Sequence, residues 1–293
     1  MAGGFDLVCD LGATLGESPV WEAGRQTLRL TDIDGCRLHR FDPATGRVAT
    51  LDLPEEMGCF APARGGGIIA AMRSGIWHMD EDGTRRQLAP NPETHAGSRF
   101  NDGNTDPRGR LIAGTIDPER QGRARLYRYD RRGLAVLAEG LMTSNGVAFS
   151  PDGRTLYHAD TPRFTIHAYD YDAGAGEIGN RRVFARLDPD APDRGRPDGA
   201  AVDAEGCYWT ALYQGARVHR YAPTGELLAS YPVPAQSPTM PCFGGADMRT
   251  LYVTSARGGC TGEQLARYPA SGGIFAMRTD VPGLIRPQFD PEV

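Results

Sequence analysis

The chain carries no block of basic residues interleaved with aromatics, so nothing in it would track a phosphate backbone, and nucleic acid is not an expected partner. No apolar run approaches the roughly 18 residues needed to span a bilayer. Met1 to Asp10 lacks a basic segment followed by an apolar one, so a soluble, cytoplasmic protein without a membrane partner is expected. Six cysteines are present, but no C-x-x-C pair, which argues against a zinc ribbon or a small disulfide scaffold and for reduced, mostly buried thiols. The six histidines form neither H-E-x-x-H nor H-x-H, which disfavours a His-ligated zinc hydrolase. "GESPV" at Gly16 has the serine of a G-x-S-x-G nucleophile elbow but not its closing glycine. Helical periodicity of any length is missing as well.

What is present is a repeat. Over 293 residues, short β-prone runs each follow a turn rich in Gly, Asp or Pro, as in "DPRGRLIAGTI" from Asp106, "SPDGRTLYHAD" from Ser150 and "DAEGCYWTAL" from Asp203. Leu28, Ile68, Leu111, Leu156, Tyr208 and Leu251 are equivalent positions, spaced about 40, 43, 45, 52 and 43 residues apart, the length of a four-stranded propeller blade. After most of them comes an alternating run such as Arg125-Leu126-Tyr127-Arg128-Tyr129, with the period of two of a half-buried strand. The expected fold is all-β, a six-bladed β-propeller with four-stranded antiparallel blades, forming one domain over residues 1–293. Its ring is expected to close by pairing a first strand near Phe5 to Cys9 into the last blade.

Ten or eleven residues before four of those positions stand Glu17, Asn101, Asn145 and Asp198. Alone, "NDG", "SNG" or "PDG" is a common turn dipeptide in its frame. Four in register at the start of the innermost strand place their oxygens at one axis. The matching slots of the second and sixth blades, near Met57 to Cys59 and Met240 to Cys242, are uncharged. They predict an apolar or sulfur-lined arc around Cys59 and Cys242, with core packing its first role. Two carboxylates and two amides suit one divalent cation, Ca²⁺ first, with Zn²⁺, Mn²⁺, Mg²⁺ or Fe²⁺ also compatible. Three or four protein ligands leave coordination positions open, as a catalytic metal requires.

In "LGESPVW" at Leu15, "SRFNDGNTDPRGRLIAGT" at Ser98, "SNGVAFSPDGRTLYHADT" at Ser144, "RPDGAAVDAEGCYW" at Arg196 and "PCFGGADMRTLYVTSA" at Pro241, the chain resembles the gluconolactonase, regucalcin and luciferin-regenerating-enzyme family over nearly its whole length. That resemblance implies that Glu17, Asn145 and Asp198 bind the metal and that Asp198 is also the general base. It implies that Arg99 and Asn101 hold the substrate and that Glu119, in "DPER", contacts it. "PCFGG" and "LARYPASGGIF" look most like bacterial sugar-acid lactonases, so a small-molecule lactone is the expected partner, and a monomer is compatible with the sequence. Lactone hydrolysis needs a polarised carbonyl, an activated water and a stabilised oxyanion. The alternative is a non-catalytic propeller that binds a ligand or protein at its channel face. A scaffold has no need of Glu17, Asn145 and Asp198 at one axis, which favours the lactonase reading.

Overall fold

A computed structural model describes residues 4–191 and 194–293 of the chain. Six four-stranded antiparallel sheets stand side by side as the blades of a β-propeller. Each repeat copy is one blade, and every sequence anchor opens a second strand: Leu28 in Thr27–Asp32, Ile68 in Ile68–Met72, Leu111 in Leu111–Thr115, Leu156 in Thr155–Asp160, Tyr208 in Tyr208–Tyr213 and Leu251 in Thr250–Ala256. The innermost strands are Gly16–Glu22, Met57–Pro62, Phe100–Thr105, Ser144–Phe149, Arg196–Val202 and Ser237–Gly244, each beside the next around the central channel.

The hairpin joining the first two strands of a blade is held by an aspartate. Asp106 Oδ1 accepts from the amides of Arg108 and Arg110 at 2.9 and 2.8 Å, and Asp203 Oδ1 accepts from Glu205 and Cys207 at 3.0 and 2.9 Å. A side chain that satisfies turn amides in this way makes the D-x-x-G spacing a hairpin rather than an open loop.

The apolar core is divided into wedges between neighbouring blades. Trp21, Leu28, Tyr252 and Ile274 fill the seam between the first and sixth blades, and Ile69, Phe100, Leu111 and Tyr127 fill that between the second and third. Each fully buried large side chain contributes about 1.5–3 kcal/mol, so these seams set the blade-to-blade geometry on which the channel depends. The ring closes as expected: Asp6–Cys9 pairs antiparallel with Ile274–Arg278, Asp6 opposite Ala276 and Leu7 opposite Phe275. The sixth blade carries an insertion with one short helix, Gly262–Arg267, begun by a reciprocal cap between Thr261 and Gln264. No helix among the described residues is long and apolar enough to cross a membrane.

The chain's last segment runs across the end of the channel where the inner strands finish. Gly283 bridges to Asp203, Pro287 O accepts from Thr105 Oγ1 at 2.5 Å, and the Phe289 amide donates to Pro62 O at 2.8 Å. The opposite end, where the inner strands begin, is the one that carries the polar residues.

Candidate functional site

All six inner strands slip register at the same level. The shifts fall between Glu17 and Val20, Met57 and Cys59, Phe100 and Gly103, Asn145 and Ala148, Pro197 and Ala200, and Pro238 and Pro241. A bulge leaves residues without a partner across the ladder, bends the strand and re-aims its side chains. Glu17, Asn101, Asn145 and Asp198 stand at four of these bulges, which is why a strand otherwise committed to sheet pairing can turn a polar group to the channel axis. At Gly146 the bulge takes φ +61, and a Cβ there would lie 2.3 Å from the Tyr208 hydroxyl and 3.0 Å from Asp198 O. Only glycine lets the fourth blade approach the fifth this closely.

A hydrogen-bond chain crosses the third, fourth and fifth blades. Arg99 Nη1 donates to Asn101 Oδ1 at 2.6 Å and to Phe100 O at 3.0 Å. Asn101 Nδ2 donates to Asn145 Oδ1 at 2.8 Å and to Ser144 O at 3.0 Å, and Asn145 Nδ2 donates to Thr161 Oγ1 at 2.8 Å. Thr161 in turn donates to Pro197 O at 2.7 Å. Because the Thr161 hydroxyl proton is committed to a carbonyl, the atom facing it must be the Asn145 amide nitrogen, which leaves Oδ1 facing Asn101 Nδ2. Asn101 is thereby saturated, while Arg99 Nε and Nη2 are engaged by no described residue.

Glu17, Asn145 and Asp198 are 7%, 3% and 5% exposed, so two carboxylates are buried at one locus. Burial raises the pKa of both; Asp102 adds to the effect on Glu17, and Glu17 followed by Asp102 adds to the effect on Asp198. Glu17 accepts a bond from the Ser18 amide at 3.1 Å, and no described cation forms an ion pair with either carboxylate. Burial also lowers the pKa of Arg99, whose charge acts on both acids from a distance. Two unpaired, mutually repelling carboxylates with an oriented amide oxygen form an oxygen donor set that matches one dication in charge and hardness. Among the described residues no group of three or more His, Cys, Asp or Glu gathers as a metal cage.

The structure thus brings Glu17, Arg99, Asn101, Asn145 and Asp198 together. Glu119 stands apart: it lies on the loop after the third blade's second strand, its side chain 62% exposed and paired with Arg123 at 2.8 Å. That loop meets the start of the inner strand through the Ile116 amide, which donates to Arg99 O at 3.1 Å, so Glu119 is on the mouth side of the channel. In the apolar arc, Cys59 is packed in the seam with Phe100, while Cys242 lines a cavity of about 330 Å³ near the opposite end together with Arg286 of the closing segment.

Sequence reasoning missed Asp102. Its two carboxylate oxygens accept from Gly103 N at 2.7 Å and Val147 N at 3.0 Å, tying the third blade's bulge to the fourth's. Burial raises its pKa to about 6 against the pull of the Val147 amide and Arg286. It was hidden by its neighbour, because "NDG" reads as one turn. Asp32 and Asp160 were missed too: they end second strands and hold the segments that lead to Glu17 and Asn145, accepting from Leu15 N at 2.8 Å and Thr143 N at 3.1 Å. Their signal was available, an aspartate four residues after Leu28 and Leu156.

Comparison with known proteins follows from this geometry. The model of the family described as SMP-30/Gluconolactonase/LRE-like region matches residues 15–257. The chain is 47% identical over 283 residues to the 6-deoxy-6-sulfogluconolactonase of Pseudomonas putida, covering 94% of this chain and 95% of that protein. It is 36% identical to a pentonolactonase of Haloferax volcanii, with 98% and 97% covered. Its backbone matches the crystal structure of a calcium-binding protein, regucalcin, from Agrobacterium tumefaciens at a TM-score of 0.91 and 28% identity, with 98% and 97% covered.

Proposed function

The chain is a lactonase of the SMP-30/gluconolactonase/LRE-like family, and from that premise we propose that it opens an aldonolactone of five or six carbons at the site formed by Glu17, Asn145 and Asp198 with one divalent cation. The observation that carries this reading is a pair of buried, mutually repelling carboxylates, Glu17 and Asp198, with no described cation paired to either, in the same ring of bulges as an Asn145 amide whose orientation the chain through Asn101 and Thr161 fixes. Oxygen ligands favour a hard ion, and the calcium-binding neighbour favours Ca²⁺ among the candidates.

When bound, the cation would polarise the lactone carbonyl and stabilise the charge that develops on its oxygen. The protein's residues supply the rest. Asp198 takes a proton from the attacking water as its oxygen bonds to the carbonyl carbon. The tetrahedral adduct then collapses with cleavage of the ring C–O bond, and the departing ring oxygen recovers a proton to become a hydroxyl beside a new carboxylate. Arg99 donates from Nε and Nη2 to the substrate, while Asn101 holds both Arg99 and Asn145 in place. Glu119, on the mouth-side loop, would reach a substrate hydroxyl once released from Arg123.

A pH-indicator assay on glucono- and xylonolactone, before and after exhaustive chelation, tests this directly. Stripped protein should lose turnover and regain it with Ca²⁺ or another divalent ion; full turnover in stripped protein that remains folded by circular dichroism would refute the metal reading.

A further inference from the structure

Beside the lactone site, on the mouth side of the fifth blade, lies a cavity of about 260 Å³ whose lining includes Arg194, Arg196, Tyr213, Gln214, Gln236 and Gln264. No acidic residue among those described lines it. Arg196 opens the fifth blade's inner strand two residues before Asp198, on the same side of the strand and about 7 Å along it. Its Nη1 donates to Gln214 Oε1 at 2.6 Å, its guanidinium carbon sits 5.7 Å from the centre of the Phe164 ring, and its Nε is buried without an acceptor. The orientation is therefore fixed and one N–H is left for a ligand.

The arginines around this cavity differ from the others at the mouth. Arg73, Arg123 and Arg163 are each bonded to a carboxylate, respectively Glu56, Asp117 and Asp160. Arg194 and Arg196 line the same cavity, and no described carboxylate is bonded to either. The backbone carrying them is clamped: a Cβ at Gly195 would fall 2.6 Å from Leu212 Cβ and 2.8 Å from Gly215 Cα. Uncompensated, pre-oriented guanidiniums in a polar cavity are a recognition site for oxyanions.

We propose that Arg194 and Arg196 form an anion subsite for a lactone substrate, taking an oxyanion group at the end of its carbon chain remote from the lactone carbonyl. This rests on the lactonase reading of the Asp198 site and adds the substrate's charge to it. The shared chemistry is a carboxylate, phosphate or sulfonate. Its oxygens accept from the guanidiniums of Arg194 and Arg196, while the ring carbonyl reaches the Asp198 site.

The test compares kcat/KM for uncharged glucono-1,5-lactone with that for the same lactone bearing a carboxylate, a phosphate or a sulfonate at C6. The wild-type protein should favour at least one charged lactone by roughly tenfold or more, mainly through KM, and the preference should shrink as salt is raised. The three charged lactones rank the anions. Arg196→Gln and Arg194→Gln should each lower the charged-to-neutral ratio by roughly ten- to a hundredfold. Should Arg196→Gln fail to fold, Arg194→Gln, at an exposed position, carries the test, together with loss of competition by inorganic sulfate against the charged lactone. A wild-type protein that opens the neutral lactone as well as every charged one, or variants that keep the wild-type ratio, would overturn the subsite. A protein that opens no lactone of either kind would instead overturn the reading of the Asp198 site.

Discussion

Two arcs of one ring share a backbone and differ in side chains. In the first, third, fourth and fifth blades the bulge of the inner strand presents Glu17, Asn101, Asn145 and Asp198; in the second and sixth the same bulge presents Gly58 and the pair Thr239–Met240. Thr239 spends its hydroxyl between Thr254 Oγ1, at 2.8 Å, and Gly16 O, and Met240 packs against Gly199 of the fifth blade. The fold therefore builds six equivalent sockets, and the residue in each decides whether the socket binds or packs. A propeller needs the packing sockets as much as the binding ones, because buried polar groups without partners destabilise a seam.

The sharpest way to break the contrast is at Asp198. Asp198→Asn keeps the shape and removes the carboxylate proposed as the base, and should lower kcat for lactone opening by about 10²–10⁴-fold, read in the pH-indicator assay with circular dichroism as the control for folding. Next comes the residue that orients rather than ligates. Asn101→Leu removes the donor that fixes Asn145 Oδ1 and the acceptor that holds Arg99, and a loss of about 10–100-fold in metal affinity, measured by titrating the ion into stripped protein, is expected. An equal loss from Met57→Leu, in a packing socket, would erase the distinction between the arcs. That volume-conserving exchange should cost less than about 1.5 kcal/mol in denaturant unfolding and leave turnover as it was.

The arcs also explain what could be read from the sequence. The blade period was legible because each anchor, from Leu28 to Leu251, is a buried residue at a second-strand start, and burial imposes the same residue type each time. Glu17, Asn101, Asn145 and Asp198 could be picked out together because they occupy one register position in different blades. Asp102 was not, since its role is to hold the amides of another blade, a contact no local spacing encodes. Nor were the arginines bonded to no described carboxylate: whether Arg73 or Arg196 has a carboxylate beside it depends on which loops meet at the mouth. Cys59 and Cys242 looked alike in "GCF" and "PCF", yet one is sealed in a seam and the other borders a cavity, because the closing segment covers only part of the channel end.

A smaller effect separates the arcs by pH. Behind the fourth blade's socket, His158 is fully buried, its Nε2 2.8 Å from Ser144 Oγ and its Nδ1 without a partner. Burial, helped by the charges of His167 and Arg181, lowers its pKa from 6.5 to about 3. The folded protein thus holds the neutral ring while the unfolded chain takes up a proton, so this contribution to stability is complete above pH 6.5 and declines as pH falls toward 3. One proton of difference limits the slope to about 1.4 kcal/mol per pH unit. His158→Gln keeps a hydrogen-bonding group for Ser144 without a titrating ring, and should flatten the fall in unfolding free energy between about pH 6 and 4 relative to the wild type. If the two curves stay parallel over that range, His158 is not the group that makes the polar arc acid-sensitive; the buried carboxylates at the channel axis, whose pKa values burial raises, act in the opposite sense and gain stability as pH falls.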